Sequence, residues 1–198
     1  MLSGNPDWQK ESTVKIIDAA VKIGAKTVVL PECGHAYMAL RWMGANMYGK
    51  PLPFKVLHIS EYLADALNTG KIKVKKIDKS VTYHDPCQVS RRGGATKAAR
   101  DVINHLTGDF REMPLGGDYN WCCGGGGGVV TITRADPLRH RVFKLKMDQV
   151  ETTEADELIS SCANCRQSFD DSQQHFGWDY TMGSLMEMVA ENLEEDGS

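Results

Sequence analysis

The chain has 198 residues, 41% of them hydrophobic and 25% charged, with a net charge of −3. A chain of this size and composition buries a core without disulfide staples, and its scattered Lys and Arg residues leave no basic face for nucleic acid. No apolar run approaches the length of a membrane span, and Met1–Asp7 lacks the charged and hydrophobic regions of a signal peptide, so a reducing cytoplasm is the expected compartment.

The spacing of Val14, Ile17, Ala20 and Val21 predicts a first helix that stops at Gly24. Thr27 to Leu30 then reads as a short buried strand leading to Pro31-Glu32-Cys33, so Cys33 sits at a strand's carboxyl end. A helix is expected from His35 to Trp42, then a loop with Gly49, Pro51 and Pro53, and a helix from Ser60 to Asn68 closed by Gly70. Val81 to His84 predicts another strand, which runs into Asp85-Pro86-Cys87, and Lys97 to Leu106 a helix with Ala99, Val102, Ile103 and Leu106 on one face. The segment Trp121-Cys122-Cys123 followed by Gly124 to Gly128 reads as a turn whose glycines let the backbone approach a bound group. A helix over Pro137 to Val150 leads to a strand over Glu157 to Ser161, which ends at Cys162-Ala163-Asn164-Cys165. The closing helix runs from an N-capping Ser184 to Leu193, with Leu185, Met188 and Val189 as core packing. Alternating helices and short strands predict an α/β fold with a mostly parallel sheet.

Shifting the chain by 129 residues lays Asp7 on Asp136, Lys15 on Lys144, Val21 on Val150, Leu30 on Ile159 and Cys33 on Cys162. The helix at Ser60 answers the one at Ser184 after a five-residue change in spacing. Two related units are expected: residues 1–75 as a truncated first copy and 76–198 as a complete second one. On this reading the chain is the C-terminal part of a longer protein.

Five of the six cysteines, Cys87, Cys122, Cys123, Cys162 and Cys165, form the chemistry-bearing pattern. Cys162 and Cys165 make a C-x-x-C between a strand and a helix, where amide N–H groups favour thiolates; a metal site and a redox dithiol both use such a motif. The adjacent pair Cys122-Cys123 cannot readily bond to itself, yet a glycine-rich turn can aim both sulfurs at one centre. Five thiolates exceed the four of a tetrahedral zinc site, and an iron-sulfur cluster can accept them.

Tyr83-His84-Asp85-Pro86-Cys87, Cys122-Cys123-Gly124 and Cys162-Ala163-Asn164-Cys165 resemble the cysteine-rich CCG domain of the B and D subunits of heterodisulfide reductases. The domain recurs in iron-sulfur subunits of glycolate oxidase and lactate-utilisation proteins. The spacing agrees, with 34 residues between Cys87 and Cys122 and 38 between Cys123 and Cys162. The resemblance implies a noncubane 4Fe-4S cluster held by Cys87, Cys122, Cys123, Cys162 and Cys165, which cleaves disulfides by one-electron steps. It also implies partners: other redox subunits of a membrane-associated or soluble complex, and a small thiol or disulfide carrier protein or a thiol cofactor. An open cleft beside Gly124 to Gly128 is expected for such a substrate. A zinc-binding structural module and a non-catalytic electron relay are the competing readings.

In the first unit, Cys33-Gly34-His35-Ala36 places Ala36 where Cys165 has its counterpart, so no complete second cluster is expected. Within the family, Pro31 to Tyr37 most resembles the K subunit of the sulfite-reductase-linked membrane complex, which implies a small sulfur carrier protein as substrate and attachment to the inner face of a membrane through partner subunits. Cys33 and His35 are the candidate catalytic residues, lining the substrate approach or holding a carrier sulfur; a buried thiol and a surface imidazole is the simpler alternative. His84 reads as an orienting or capping residue rather than a catalytic acid. Arg91 and Arg92 either offset the charge of a thiolate-ligated cluster or meet an acidic partner.

Overall fold

The computed structural model describes residues 4–194, so Met1 to Ser3 of the N-terminal segment lie outside it. Helix α1 (Pro6–Lys22) starts at Asn5, whose side chain accepts hydrogen bonds from the Asp7 and Trp8 amides, and leads into strand β1 (Thr27–Leu30). Beyond Cys33 the expected single helix is three pieces: α2 (Gly34–Met38), a π-helical turn (Ala39–Met43) and α3 (Gly44–Tyr48), ended by Gly49 at φ 81°. Strand β2 (Lys55–His58) follows, then helix α4 (Ile59–Asn68).

The second half contains β3 (Val81–His84), α5 (Thr96–Leu106), α6 (Asp136–Glu151), β4 (Glu157–Ser160), α7 (Ala163–Phe176), β5 (Thr181–Ser184) and α8 (Leu185–Glu191). The fold is α/β as expected. Strands β1 and β2 pair in parallel, and β3, β4 and β5 form a parallel three-stranded sheet in that order.

Strands β3 and β4 are buried at every position, the pattern of a parallel sheet covered on both faces. One face carries Val81, Tyr83 and Ile159 against Val102, Ile103 and Leu106 of α5, with Leu67 of α4 and Leu185, Met188 and Val189 of α8. On the other, Leu158 packs against Phe143, Met147 and Val150 of α6 and Phe169 of α7. The second core also takes in Cys123, Cys162 and Cys165, and each large apolar side chain buried in either core contributes about 1.5–3 kcal/mol.

Strands β2 and β5 are absent from the sequence expectation, and they correct the repeat. His58 caps α4 and Ser184 caps α8, so His58 answers Ser184 and Ile59 answers Leu185; the pairing of Ser60 with Ser184 is out by two residues. In both units a strand runs to a cap and a short helix. Every cysteine of the pattern lies beyond a strand's carboxyl end or on the loop beside it, the edge of a parallel sheet at which ligands bind. Among the described residues no helix is long and apolar enough to cross a membrane.

Candidate metal centre

Cys87 follows β3, Cys162 and Cys165 follow β4, and the turn carrying Cys122 and Cys123 folds over the same edge. The five side chains interact in an unbroken line: Cys87 with Cys122, Cys122 with Cys123, Cys123 with Cys165, and Cys165 with Cys162. Cys123, Cys162 and Cys165 are buried, Cys87 is half-buried and Cys122 is exposed. The line is buried from Cys162 to Cys123, reaches the surface at Cys122 and ends at the half-buried Cys87.

Two hydrogen-bonded devices hold it. Asp85, buried and between β3 and Cys87, accepts from Arg100 Nη1 and Nη2 at 2.9 and 2.8 Å, Ser90 Oγ at 2.9 Å and the Gly117 amide at 2.6 Å. Asn120 Nδ2 donates to the Asp85 carbonyl at 2.7 Å. One carboxylate and its own backbone thus tie the Cys87 loop to the approach to Cys122. The second device is α7, where Ser168 Oγ donates to the Cys123 carbonyl at 3.0 Å and Asn164 Nδ2 to the Gly125 carbonyl at 3.1 Å.

The glycines serve this packing. Gly124 has φ 83°, and a Cβ on Gly125 would lie 2.8 Å from Ser168 Cβ. Gly126 to Gly128 face open space, so the close approach achieved by the turn is to helices α6 and α7 and falls on its first two glycines alone.

The turn also supplies N–H groups: Gly124 N lies 3.3 Å from Cys122 Sγ and Gly125 N 3.4 Å from Cys123 Sγ. With its neighbours' thiols and the Gly124 amide around it, Cys122 is held well below the ordinary thiol range. Cys162, the N-cap of α7, is lowered to about 6 by the Cys165 thiol and by the backbone N–H groups of Cys165, Gly34 and Asn164. Cys165 is pushed the other way by Cys123, Cys162 and burial.

His84 does not cap anything. Its ring is 1% exposed and stands edge-on to Phe169 at 4.7 Å, and neither nitrogen has a hydrogen-bond partner among the described residues. Burial lowers it to about 3, so it is neutral. One of its nitrogens lies with Cys123 Sγ and Cys165 Sγ in a buried group whose members are all within 4.8 Å of one another. Sequence reasoning also missed Lys146, which is 1% exposed and lowered to about 8 by burial, with Asp85, Cys123, Cys122 and Cys165 opposing that shift. A lysine three residues after Phe143 and four before Val150 falls on the apolar face of α6 by spacing alone, and that irregularity of the stripe is the signal that could have found it.

The first unit reaches this centre. A Cβ on Gly34 would lie 2.8 Å from Gln88 Cβ, next to Cys87. Cys33 is exposed and His35 half-buried, the reverse of the simpler alternative of a buried thiol and a surface imidazole. Burial lowers the His35 pKa, Arg92 adds to that, and Cys122 opposes it, so the ring feels both the positive charge of Arg92 and the negative charge of Cys122. Arg91 and Arg92 are both exposed. The centre reaches the surface at Cys122; the two largest described cavities, about 640 and 590 Å³, are lined by other residues.

Five convergent cysteines, buried N–H donors and a bare buried imidazole form a donor set suited to a thiolate-ligated metal cluster, with more sulfurs than one tetrahedral ion takes.

A sequence profile of the family described as "CCG: Cysteine-rich domain" matches residues 81–170, a span that contains all five of these cysteines and excludes Cys33. The D subunit of the dihydromethanophenazine:CoB–CoM heterodisulfide reductase of Methanosarcina barkeri is 35% identical over 189 residues, covering 94% of this chain and 46% of that protein. Its Methanosarcina mazei counterpart is 36% identical with the same coverage. The Hdr-like menaquinol oxidoreductase iron-sulfur subunit 2 of Archaeoglobus fulgidus is 32% identical over 82% of this chain and 31% of its own length. The chain spans less than half the length of these relatives.

Proposed function

The chain belongs to the cysteine-rich CCG-domain family, and from that premise we propose that it is an iron-sulfur redox subunit whose Cys87, Cys122, Cys123, Cys162 and Cys165 hold one noncubane 4Fe-4S cluster, at which a disulfide, heterodisulfide or polysulfide is reduced or formed. The observation that carries this reading is the convergence of five sulfurs, more than one tetrahedral ion takes, of which Cys123, Cys162 and Cys165 are buried and Cys122 is open to a substrate.

When bound, such a cluster supplies electrons singly, so that RSSR + 2 e⁻ + 2 H⁺ → 2 RSH is divided into one-electron steps. The chain supplies the rest. Cys123, Cys162 and Cys165 keep the inner side dry, and Gly124, Gly125 and the start of α7 hold the thiolates by their N–H groups. Cys33 and His35 border the open side: the Cys33 thiol attacks one substrate sulfur while the His35 imidazole, beside Cys122, takes the Cys33 proton and passes it to the departing thiolate, and two electrons with two protons then return the mixed disulfide to the Cys33 thiol and a second RSH. Arg92 adds a positive charge there for an acidic carrier. The electrons come from another iron-sulfur centre in a redox partner of a cytoplasmic or peripheral complex. The substrate is a small thiol or disulfide carrier protein or a thiol cofactor. Residues 1–75 act as a partial first unit that covers the complete second unit, 76–198.

Anaerobic iron and sulfide quantitation, with electron paramagnetic resonance in the presence of a thiol, tests the proposal. About four irons and four sulfides per chain are expected, abolished by Cys122→Ser. Cys33→Ser should keep the cluster and lose disulfide turnover. Zinc without iron or sulfide would sink the cluster, and a loaded cluster without turnover would leave only a relay.

A further inference from the structure

Helix α6 buries Arg139, Phe143, Lys146, Met147 and Val150. A stripe of this spacing takes apolar side chains, so a lysine in its middle needs an electrostatic reason. Lys146 Nζ lies 2.7 Å from Gln149 Oε1 and 3.6 Å from Met113 Sδ, both uncharged. None of the ion pairs among the described residues includes it. By contrast Arg139, on the same face, pairs with both Asp136 and Asp171.

A buried ammonium without a counter-charge is strongly disfavoured. The groups facing Lys146 are Asp85, Cys122, Cys123 and Cys165, with neutral His84 beside them. Asp85 is held by the two-pronged contact with Arg100, a guanidinium that it shares with Glu112. Beside it stands the sulfur set, and one bare nitrogen of His84 shares the buried space of Cys123 and Cys165.

We propose that Lys146 is the buried counter-cation of the metal centre, a positioning residue that acts through the cysteine thiolates to raise the potential at which the centre accepts an electron. The inference rests on the cluster proposed above. A nearby fixed positive charge favours the redox state that carries more negative charge, and because the pair is buried, salt screens it little.

The test is a redox titration of the anaerobically reconstituted 198-residue chain as wild type, Lys146→Met and Lys146→Arg, at low and high ionic strength. Lys146→Met, which keeps the length of the side chain and removes its charge, should shift the midpoint potential downward. Lys146→Arg should restore most of the shift, and high salt should leave the difference in place. A loaded cluster whose potential is the same in wild type and Lys146→Met would overturn the inference while leaving the cluster standing. A wild-type chain that takes up no iron and sulfide overturns both. If Lys146→Met keeps its circular dichroism but does not load, loading by Lys146→Arg supports a charge requirement, and failure of both variants shows a requirement of shape and overturns the inference.

Discussion

Asp85 decides whether Cys87 and Cys122 meet. It stands directly before the Pro86-Cys87 bend, and its side chain and carbonyl together take the ends of Arg100, Ser90, Gly117 and Asn120. Burial by itself would raise its pKa, but the Arg100 guanidinium and the Gly117 and Ser90 donors hold it below the ordinary carboxylate range. Because the folded value is the lower one, the stabilisation is complete above the unfolded value of about 3.9 and is lost as pH falls through the folded value. Asp85→Asn keeps the shape and removes one of the two carboxylates on Arg100, which retains Glu112, so a loss of about 2 kcal/mol is expected in urea unfolding at pH 7. The gap to wild type should close as the pH is taken below the unfolded value and on through the lower folded one; a gap that stays constant would show that the charge of Asp85 contributes nothing. The Asp-Pro-Cys run is visible in the sequence, but its five donors come from positions up to 35 residues away, and no local pattern announces them.

At the scale of elements, the glycine run divides into glycines that pack and glycines that do not. Gly125→Ala would drive a Cβ to 2.8 Å from Ser168 Cβ on α7. Overpacking of this kind costs about 2 kcal/mol, and the displaced turn should also lose cluster loading. Gly126→Ala meets nothing within 4 Å and is expected to change stability by less than about 0.5 kcal/mol. Measuring both by chemical unfolding and iron content checks the division; equal effects would refute it. Strands β3 and β4 and the amphipathic helices are legible because their apolar periods are intact. Strands β2 and β5 are not, since Lys55 to His58 follows two prolines and Thr181 to Ser184 contains a glycine, and each exists through pairing with a neighbour in parallel register. The long helix expected after Cys33 is broken by the π turn, in which Arg41 Nη1 donates to the Val56 carbonyl of β2 at 2.6 Å.

Over the whole molecule, Glu32 joins the loop after β1 to α7 and α8. Its backbone adopts φ 35°, in the left-handed region, and its carbonyl accepts from the first amide of α7 at 3.1 Å. Its carboxylate accepts from both guanidinium nitrogens of Arg166 and from Ser184 Oγ at 2.6 Å, so one residue beside Cys33 is bonded to the helix of the C-x-x-C and to the cap of α8. Trp42 Nε1 and the Gly93 carbonyl, 3.1 Å apart, make a second link. Glu32→Gln is expected to cost about 2 kcal/mol, the scale of hydrogen bonds to a charged group. In hydrogen exchange it should loosen the N-terminus of α7 before β3 or β4; uniform loosening would show that Glu32 does not join these elements. The sequence by itself determined the α/β class and the pattern of five cysteines, because apolar periodicity and cysteine spacing are local properties of the chain. The tertiary structure alone decided which of the sulfurs reaches the surface, the exposure of Cys33, the absence of a charged partner within ion-pair distance of Lys146 among the described residues, the bare imidazole of His84 and the clasp of Glu32. Each of these depends on which charges and donors the fold brings together from distant positions, and a charged or polar side chain read along the chain looks the same whether it meets water or a buried partner.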